Sequence, residues 1–162
     1  MALADRAGVP VRGYVSCALD CPYEGPIAPE AVAAVTAELL ALGCNEIALS
    51  DTLGRGTPER TAAMVEAALR RAPAAMLAGH FHDTSGRAIA NVAAAWELGL
   101  RVFDGSFGGL GGCPYAPGAT GNLATEPLVA HFEARGIATG IDRARLEATA
   151  AWIAGRRAAA AR

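Results

Sequence analysis

The sequence lacks lysine altogether, so all 14 of its basic side chains are arginines. Set against 16 acidic residues they leave a net charge of −2, which excludes the strongly basic surface of a nucleic-acid-binding domain. The sequence also lacks any apolar run near the roughly 20 residues that a membrane span needs, and it opens with no basic-then-apolar leader. From these absences we expect a cytoplasmic domain whose partners include neither nucleic acid nor membrane.

Cysteine is scarce, with four residues scattered over 162 positions. So few thiols at such spacings exclude a disulfide-stapled scaffold and predict reduced side chains. We interpret Cys17, Cys21 and Cys44 as small packing residues, whereas Cys113 stands in a glycine-rich loop.

Hydrophobic residues make up 52% of the chain, which is enough to bury the core of one domain of ordinary size. With 19% charged residues, the composition is not that of a disordered chain. We predict a single domain over residues 1–162, with its core over 8–155 and a frayed tail over 156–162.

The chain repeats one pattern, in which a short apolar run is followed by a loop and then by a helix. The apolar runs are 11–19, 46–50, 76–82 and 100–103. The predicted helices begin near Pro29, Pro58, Arg87, Glu126 and Arg143, the last one ending near Arg156. Runs spaced by about 25–35 residues predict an α/β fold of parallel βα repeats. Since a complete (β/α)8 barrel needs around 250 residues, four such units fit either a small open sheet or half of a TIM barrel.

Two histidines close the third apolar run, in the segment Gly79–Thr84. Side chains two positions apart on a strand share a face, so His80 and His82 can both reach one metal ion. The carboxyl ends of strands are also where βα folds place their active sites. The pattern favours a metal site, although two hydrogen-bonded polar side chains at a strand end remain the alternative.

Asp51 closes the second apolar run in the same way. An aspartate at this position is typical of a turn or a helix cap, where its carboxylate accepts backbone N–H groups. Its placement at the carboxyl end of a strand beside the histidine pair also fits a catalytic carboxylate. Both interpretations stay open.

Glycine is concentrated in the segment Gly108–Asn122. Such a loop lets the backbone approach a ligand closely and lets the segment move as a lid. Its glycines do not follow the dinucleotide-binding spacing that leads into a helix. Cys113 lies at the centre of the loop, where a thiol can exchange a proton with a bound substrate.

Five segments carry a resemblance to a known family. They are Val11–Cys17, Cys21–Gly25, Ser50–Gly54, His80–Thr84 and Gly109–Ala116. Together they resemble hydroxymethylglutaryl-CoA lyases, and the likeness runs from about residue 8 to residue 155. The cysteine loop is its most specific part, because related metal-dependent synthases share the histidine pair but carry Gly-Glu-Arg-Ala-Gly-Asn in place of that loop.

The resemblance implies a TIM-barrel lyase that uses Mg²⁺ or Mn²⁺ and cleaves 3-hydroxy-3-methylglutaryl-CoA to acetoacetate and acetyl-CoA, as in leucine breakdown. It also implies a role for each site residue. These are the metal ligands His80, His82 and Asn122, the thiol acid Cys113 that protonates the acetyl-CoA enolate, the catalytic substrate-site carboxylate Asp51 and the substrate-binding residue Thr52.

One part of the family pattern is missing, namely an Arg-Asp pair on the first barrel strand that supplies an enolate-stabilising arginine and a further metal ligand. Asp5-Arg6 does not replace it, because the order is reversed and Leu3–Gly8 is typical of the end of a helix. Four strands of a barrel leave two open edges, so we expect a homo-oligomer or a partner that supplies the other half barrel. The alternatives are a non-catalytic half barrel and a related acyl-CoA lyase or synthase, the latter disfavoured by the cysteine loop.

Overall fold

A computed structural model of the chain describes residues 1–113, 115 and 121–160. Its helices are α1 (Ala2–Ala7), α2 (Pro29–Ala41), α3 (Pro58–Leu69), α4 (Ala88–Glu97), α5 (Thr125–Glu133) and α6 (Arg143–Ala160). Its strands are β1 (Arg12–Val15), β2 (Asp20–Cys21), β3 (Gly25–Pro26), β4 (Glu46–Asp51), β5 (Leu77–Phe81) and β6 (Val102–Asp104). From β4 onward strands and helices alternate, as the repeated apolar runs predict. No helix within these ranges has both the length and the apolar character that crossing a bilayer requires.

Four of the strands form one sheet in the order β1-β4-β5-β6, and every neighbouring pair in it is parallel. Helices α3 and α4 make the crossovers from β4 to β5 and from β5 to β6. Parallel strands need such crossovers, because a tight turn can only join antiparallel neighbours. The predicted α/β class with parallel βα units is confirmed.

The core lies between one face of the sheet and the helices α2, α3 and α4, and we call this side of the sheet the helix face. Successive side chains of a strand point to opposite faces, so every second residue of each strand contributes to this core. Its fully buried members include Ile47, Leu49, Met64, Val65, Leu77, Phe81 and Val92. Each such side chain contributes about 1.5–3 kcal/mol to folding through its burial.

Gly79 allows two aromatic rings to pack next to the histidine pair. A Cβ at this position would lie 2.9 Å from Cδ1 of Phe103 and 3.0 Å from Cζ of Phe81. Because carbon atoms do not approach so closely without displacement, glycine is required for this packing. The backbone of β5 is thereby held firmly just before His80.

The opposite side of the sheet, which we call the inner face, is polar. It carries Arg12, Tyr14, Glu46, His80 and Asp104, which the parallel register places on the same side. Tyr14 is exposed, and the other four side chains are partly buried. Because the helix face is apolar and the inner face carries the charged side chains, we expect a polar site on the inner face.

Two helices begin as the sequence predicts, with proline in the first turn at Pro29 and Pro58. Thr57 caps α3 by accepting a hydrogen bond from the backbone N–H of Arg60. Gly43 follows α2 with a φ of +93°, a conformation that glycine adopts without strain.

Two local features differ from the sequence prediction. Helix α6 continues to Ala160, whereas the predicted helix ends near Arg156 and is followed by a frayed tail. The alanines of this segment have the highest helix propensity of any residue, which explains the extension. The short antiparallel pair β2–β3 was not predicted, because two-residue strands carry no hydrophobic period.

Candidate active site

The structure brings the two predicted histidines together at the carboxyl end of β5. The centroids of the two imidazole rings are 5.6 Å apart. His82 is buried, with 6% of its surface exposed, and His80 is partly buried on the inner face. Two neighbouring imidazoles at a strand end match the arrangement that the His-x-His spacing predicts.

His80 is fixed by a carboxylate on the neighbouring strand. Its Nδ1 lies 3.1 Å from Oδ2 of Asp104, which follows from the register of β5 and β6. An ionised carboxylate only accepts hydrogen bonds, so His80 Nδ1 carries the proton and donates it to Asp104. In the neutral ring this leaves the lone pair on Nε2, free to bind an electrophile.

His82 has a ring nitrogen without a hydrogen-bond partner. Among the described residues, nothing within hydrogen-bond distance meets its buried Nδ1. Burial lowers the pKa of His82, and the nearby His80 lowers it further, and both effects favour the neutral ring. A buried polar atom without a partner is costly, and binding to a cation would satisfy it.

Asn122 is held beside His82 by backbone pairing. The two residues form an antiparallel bridge, supported by hydrogen bonds from Leu123 N–H to Phe81 O and from Asp83 N–H to Gly121 O. The side-chain Nδ2 of Asn122 donates to the carbonyl of Leu110 at 3.0 Å. This bond orients the amide and leaves its Oδ1 available as a ligand.

Two glycines close the ends of the loop that carries Cys113. Gly111 has a φ of +105°, and a Cβ there would lie 2.6 Å from Nδ2 of Asn122. Gly121 has a φ of +96°, and a Cβ there would lie 1.9 Å from the carbonyl oxygen of Gly111. Only glycine permits both this conformation and this close approach. The part of the predicted lid at position 114 and at 116–120 lies outside the described residues.

Cys113 is buried, with 9% of its surface exposed, and it packs against Leu53. Leu53 belongs to the loop that follows β4. Leu53 comes two residues after the end of β4, so the thiol lies over the carboxyl end of the sheet. Cys113 lies within the loop and Asn122 at its end, and each therefore meets the end of a neighbouring strand. The catalytic role of Cys113 remains a prediction.

Thr52 anchors the loop that follows β1. Its Oγ1 accepts a hydrogen bond from the backbone N–H of Cys17 at 2.8 Å. Cys17 has a φ of +55°, a strained conformation for a residue other than glycine. Cys17 and Cys21 are half-buried rather than packed in the core, which corrects their interpretation as packing residues; Cys44 is buried as expected. The substrate-binding role of Thr52 stays a prediction.

The structure does not bring the Asp51 carboxylate to the face that carries His80. Asp51 lies opposite Phe81 in the sheet and therefore points to the helix face, where it is fully buried. Its two oxygens accept the backbone N–H groups of Arg55 at 3.2 Å and Gly56 at 2.8 Å. Burial raises the pKa of this carboxyl even though those hydrogen bonds oppose the shift. The geometry supports the turn-capping interpretation of Asp51, and its catalytic role stays a prediction.

We expect Asp51→Ala to lower the free energy of unfolding by about 2–4 kcal/mol, because it leaves two N–H groups of the β4–α3 loop without an acceptor. Urea denaturation would measure the change. Asp142→Ala is the matched control, since Asp142 also accepts a backbone N–H, from Arg145, but is exposed; we expect it to cost about 1 kcal/mol or less. Equal losses in the two variants would contradict the structural role of Asp51.

The inner face holds a chain of charged groups that sequence reasoning missed. Asp104 Oδ1 accepts from Nη1 of Arg12 at 2.7 Å, and Arg12 also pairs with Glu46 through its Nε. The Tyr14 hydroxyl lies 3.3 Å from the other oxygen of Asp104. Burial alone would raise the pKa of Asp104, but hydrogen bonds from His80 and Arg12 outweigh it and hold that pKa below its ordinary value. Asp104 is therefore an anionic partner for His80.

The donor atoms assembled at this site suit a hard or borderline divalent cation. Two imidazole nitrogens and an amide oxygen are ligands that Mn²⁺ accepts, and the unpartnered Nδ1 of His82 adds a nitrogen that a cation would satisfy. In the described part of the chain, no group of three or more His, Cys, Asp or Glu side chains could hold a metal by itself. The residues present fit part of a metal site that needs at least one ligand from elsewhere.

An apolar cleft of about 780 Å³ opens next to this site, along β6 and α5. Its polar end is formed by His80, Asp104 and Asn122. Its apolar wall consists of Trp96, Phe103, Leu128, Val129, Phe132 and Ile137. In the described residues, the edge of β6 that faces away from β5 has no strand paired along Val102–Asp104.

The chain matches a known protein family over most of its length. Residues 4–153 match the profile of the HMGL-like family. The hydroxymethylglutaryl-CoA lyase of Pseudomonas mevalonii is 56% identical over 147 residues, which cover 91% of this chain and 48% of that relative. Names of other relatives specify mitochondrial or cytoplasmic forms.

Solved structures agree with the sequence match. The HMG-CoA lyase of Brucella melitensis superposes with a TM-score of 0.94 and 52% identity, over 96% of this chain and 55% of that one. An HMG-CoA lyase of Acinetobacter baumannii in complex with coenzyme A and 3-methylmalate gives a TM-score of 0.83 and 40% identity, over 90% of this chain and 48% of that one. The chain thus spans about half the length of the relatives it matches, and its four-stranded sheet corresponds to part of their fold.

Proposed function

Since the chain belongs to the HMGL-like family, whose fold is a TIM barrel, we propose that it forms the metal-binding half of a lyase that cleaves 3-hydroxy-3-methylglutaryl-CoA to acetoacetate and acetyl-CoA. The observation that carries the proposal is the meeting of His80, His82 and Asn122 at the carboxyl end of β5. The complex of a similar lyase with coenzyme A supports an acyl-CoA as the substrate class.

His80, His82 and the Oδ1 of Asn122 would hold the cation, which we propose to be Mg²⁺ or Mn²⁺. When bound, such an ion polarises the tertiary hydroxyl and neighbouring oxygens of the substrate, which eases loss of the hydroxyl proton and cleavage of the carbon–carbon bond. The chain's own residues orient this site: Asp104 fixes the ring of His80, and the bridge to His82 fixes Asn122.

Cys113 would complete the reaction by proton transfer. Cleavage leaves the electron pair of the broken bond on the acetyl-CoA enolate, and the thiol of Cys113 supplies the proton that this carbon needs. Its burial against Leu53, within the glycine-rich loop, supports a role in a site closed to water. Thr52 would contact the substrate from the adjacent strand end.

The other half of the barrel must come from outside residues 1–162, because this sequence contains no Arg-Asp dipeptide to play the part of the family's first-strand pair. The apolar cleft beside β6 and the edge of β1 are where further strands would join this sheet. We propose that the part with the Arg-Asp pair comes from a longer form of the chain or from a partner, whereas a second copy would only cover the open edges of the sheet. A cytoplasmic location also remains a prediction.

A lyase assay tests the proposal. We expect residues 1–162 alone, given 3-hydroxy-3-methylglutaryl-CoA, Mn²⁺ and a thiol, to form no acetoacetate above background. Co-expression with the amino-terminal half of the Pseudomonas mevalonii relative should restore turnover that a chelator abolishes. Light scattering in parallel would report whether the chain associates with itself or with that half. A stable complex that contains the metal but has no turnover would instead support the non-catalytic alternative.

A further inference from the structure

The side chains of the inner face form a continuous chain of contacts that ends on a proposed metal ligand. It runs from Glu46 to Arg12, from Arg12 to Asp104 and from Asp104 to His80. The contacts run along the inner face and connect β1 and β4, at one edge of the sheet, with β5 and β6, at the opposite edge. A surface ion pair would not need this arrangement, which ends on the ring of His80.

The two oxygens of Asp104 have different partners. Oδ1 accepts from Arg12 at 2.7 Å, and Oδ2 lies 3.1 Å from His80 Nδ1 and 3.3 Å from the Tyr14 hydroxyl. Because the guanidinium of Arg12 can only donate, it holds Oδ1 and turns Oδ2 toward His80. The imidazole of His80 also packs edge-on against the ring of Tyr14, with centroids 5.7 Å apart.

The arrangement selects one of the two neutral forms of His80. With an acceptor oxygen at Nδ1, that nitrogen carries the proton, and the lone pair lies on Nε2. A histidine that binds a metal through one nitrogen commonly donates its other N–H to a carboxylate, which orients the ring and makes the ligand nitrogen more basic.

We propose that Asp104, oriented by Arg12, is a positioning residue that holds His80 in its Nδ1–H form and so prepares its Nε2 as a metal ligand. The proposal about metal affinity rests on the proposed function, whereas the proposal about the form of the ring does not need a bound metal. A purely structural ion pair between Arg12 and Asp104 would leave the histidine free to adopt either form.

The substitution Asp104→Asn separates these possibilities. The amide of asparagine has a single oxygen, the one atom of that group that can accept a hydrogen bond. Because the guanidinium of Arg12 can only donate, we expect Arg12 to bind this oxygen. The Nδ2 of the new asparagine then faces His80 and donates to Nδ1, which reverses the form of the ring to Nε2–H. The shape of the side chain hardly changes, so the packing of the inner face is preserved.

The first measurement is the form of His80 in the metal-free chain, read from nitrogen-15 shifts of labelled histidine at a pH where the ring is neutral. We expect Nδ1–H in the wild type and Nε2–H in Asp104→Asn. A wild-type His80 that is mainly Nε2–H would overturn the proposal without any variant. A His80 that keeps its proton on Nδ1 in Asp104→Asn would overturn the proposal as well.

The second measurement is Mn²⁺ affinity, from the electron paramagnetic resonance signal of the free ion. We expect Asp104→Asn to bind about 10–100-fold more weakly than the wild type. Asp20→Asn is the matched control, because Asp20 pairs with Arg60 at 2.8 Å in a similar part-buried setting but contacts no histidine. Equal losses in both variants would mean that the effect comes from the loss of an ion pair.

The two measurements also separate this inference from the proposed function. If His80→Ala and His82→Ala both keep the wild-type affinity for Mn²⁺, the metal site is wrong while the ring form of His80 still tests the role of Asp104. If the histidine variants lose Mn²⁺ but Asp104→Asn does not, the metal site stands and the positioning role falls.

Discussion

Replacing His82 with alanine is expected to weaken Mn²⁺ binding by the chain on the order of 100-fold or more. Loss of a group that only orients a ligand costs about 10–100-fold in affinity, and loss of the ligand itself costs at least as much. His82 is buried at the end of β5, and in the described structure its Nδ1 has no other partner, so no neighbouring group replaces it. Calorimetry or the resonance signal of free Mn²⁺ would give the affinity.

The chain contains three histidines, and the third provides the control. His131 lies on α5, where its Nδ1 is 2.9 Å from Nη1 of Arg135, and it is not part of the site. We expect His131→Ala to bind Mn²⁺ within about twofold of the wild type, since a partly exposed position away from the ligands perturbs little. Wild-type affinity in both His80→Ala and His82→Ala would show that the cation binds elsewhere.

Cys113→Ser should reduce turnover of the reconstituted barrel by about 10²–10⁴-fold, the range that a positioned general acid contributes. The hydroxyl of serine is a far weaker acid than the thiol, although the two groups are of similar size. The metal ligands are untouched, so Mn²⁺ affinity should stay at the wild-type value. Steady-state formation of acetoacetate by this chain and the amino-terminal half of a lyase relative would measure the loss.

A second cysteine separates a loss of chemistry from a general sensitivity to thiol removal. Cys44 is buried just before β4, at the opposite end of the strands from Cys113. Cys44→Ala should cost some stability but leave the turnover per folded molecule unchanged. Full activity of Cys113→Ser would end the catalytic role of that thiol.

Much of the fold could be predicted because it depends on local patterns. The apolar runs and the prolines at Pro29 and Pro58 gave the strands and helix starts, and the period of two placed His80 and His82 together. Asp51 was harder, because the sequence does not reveal which face of the sheet a residue at a strand end occupies. Its direction follows from the pairing with Phe81, which only the register of β4 and β5 determines.

The partners of His80 could not be predicted for a related reason. Asp104 and Arg12 are ordinary charged residues in sequence, and they are 92 positions apart. Their contact depends on how strands at the two edges of the sheet approach each other across the inner face. The only sequence signal was their position in apolar runs, where a charged residue costs free energy unless it is paired. Asn122 was found through the family resemblance, since nothing in its own segment indicates that the backbone returns to His82.

The sequential order of the sheet has a consequence for how the protein acquires its site during synthesis. Each main strand pairs with the one made just before it, so a growing chain can add βα units one at a time through contacts of modest sequence separation. The link between Arg12 and Asp104, 92 positions apart, must instead wait for the last strand of the sheet, because Asp104 lies on β6. The alignment of His80 is therefore among the final events of folding, and a nascent or partly folded chain does not yet offer the cation an ordered site.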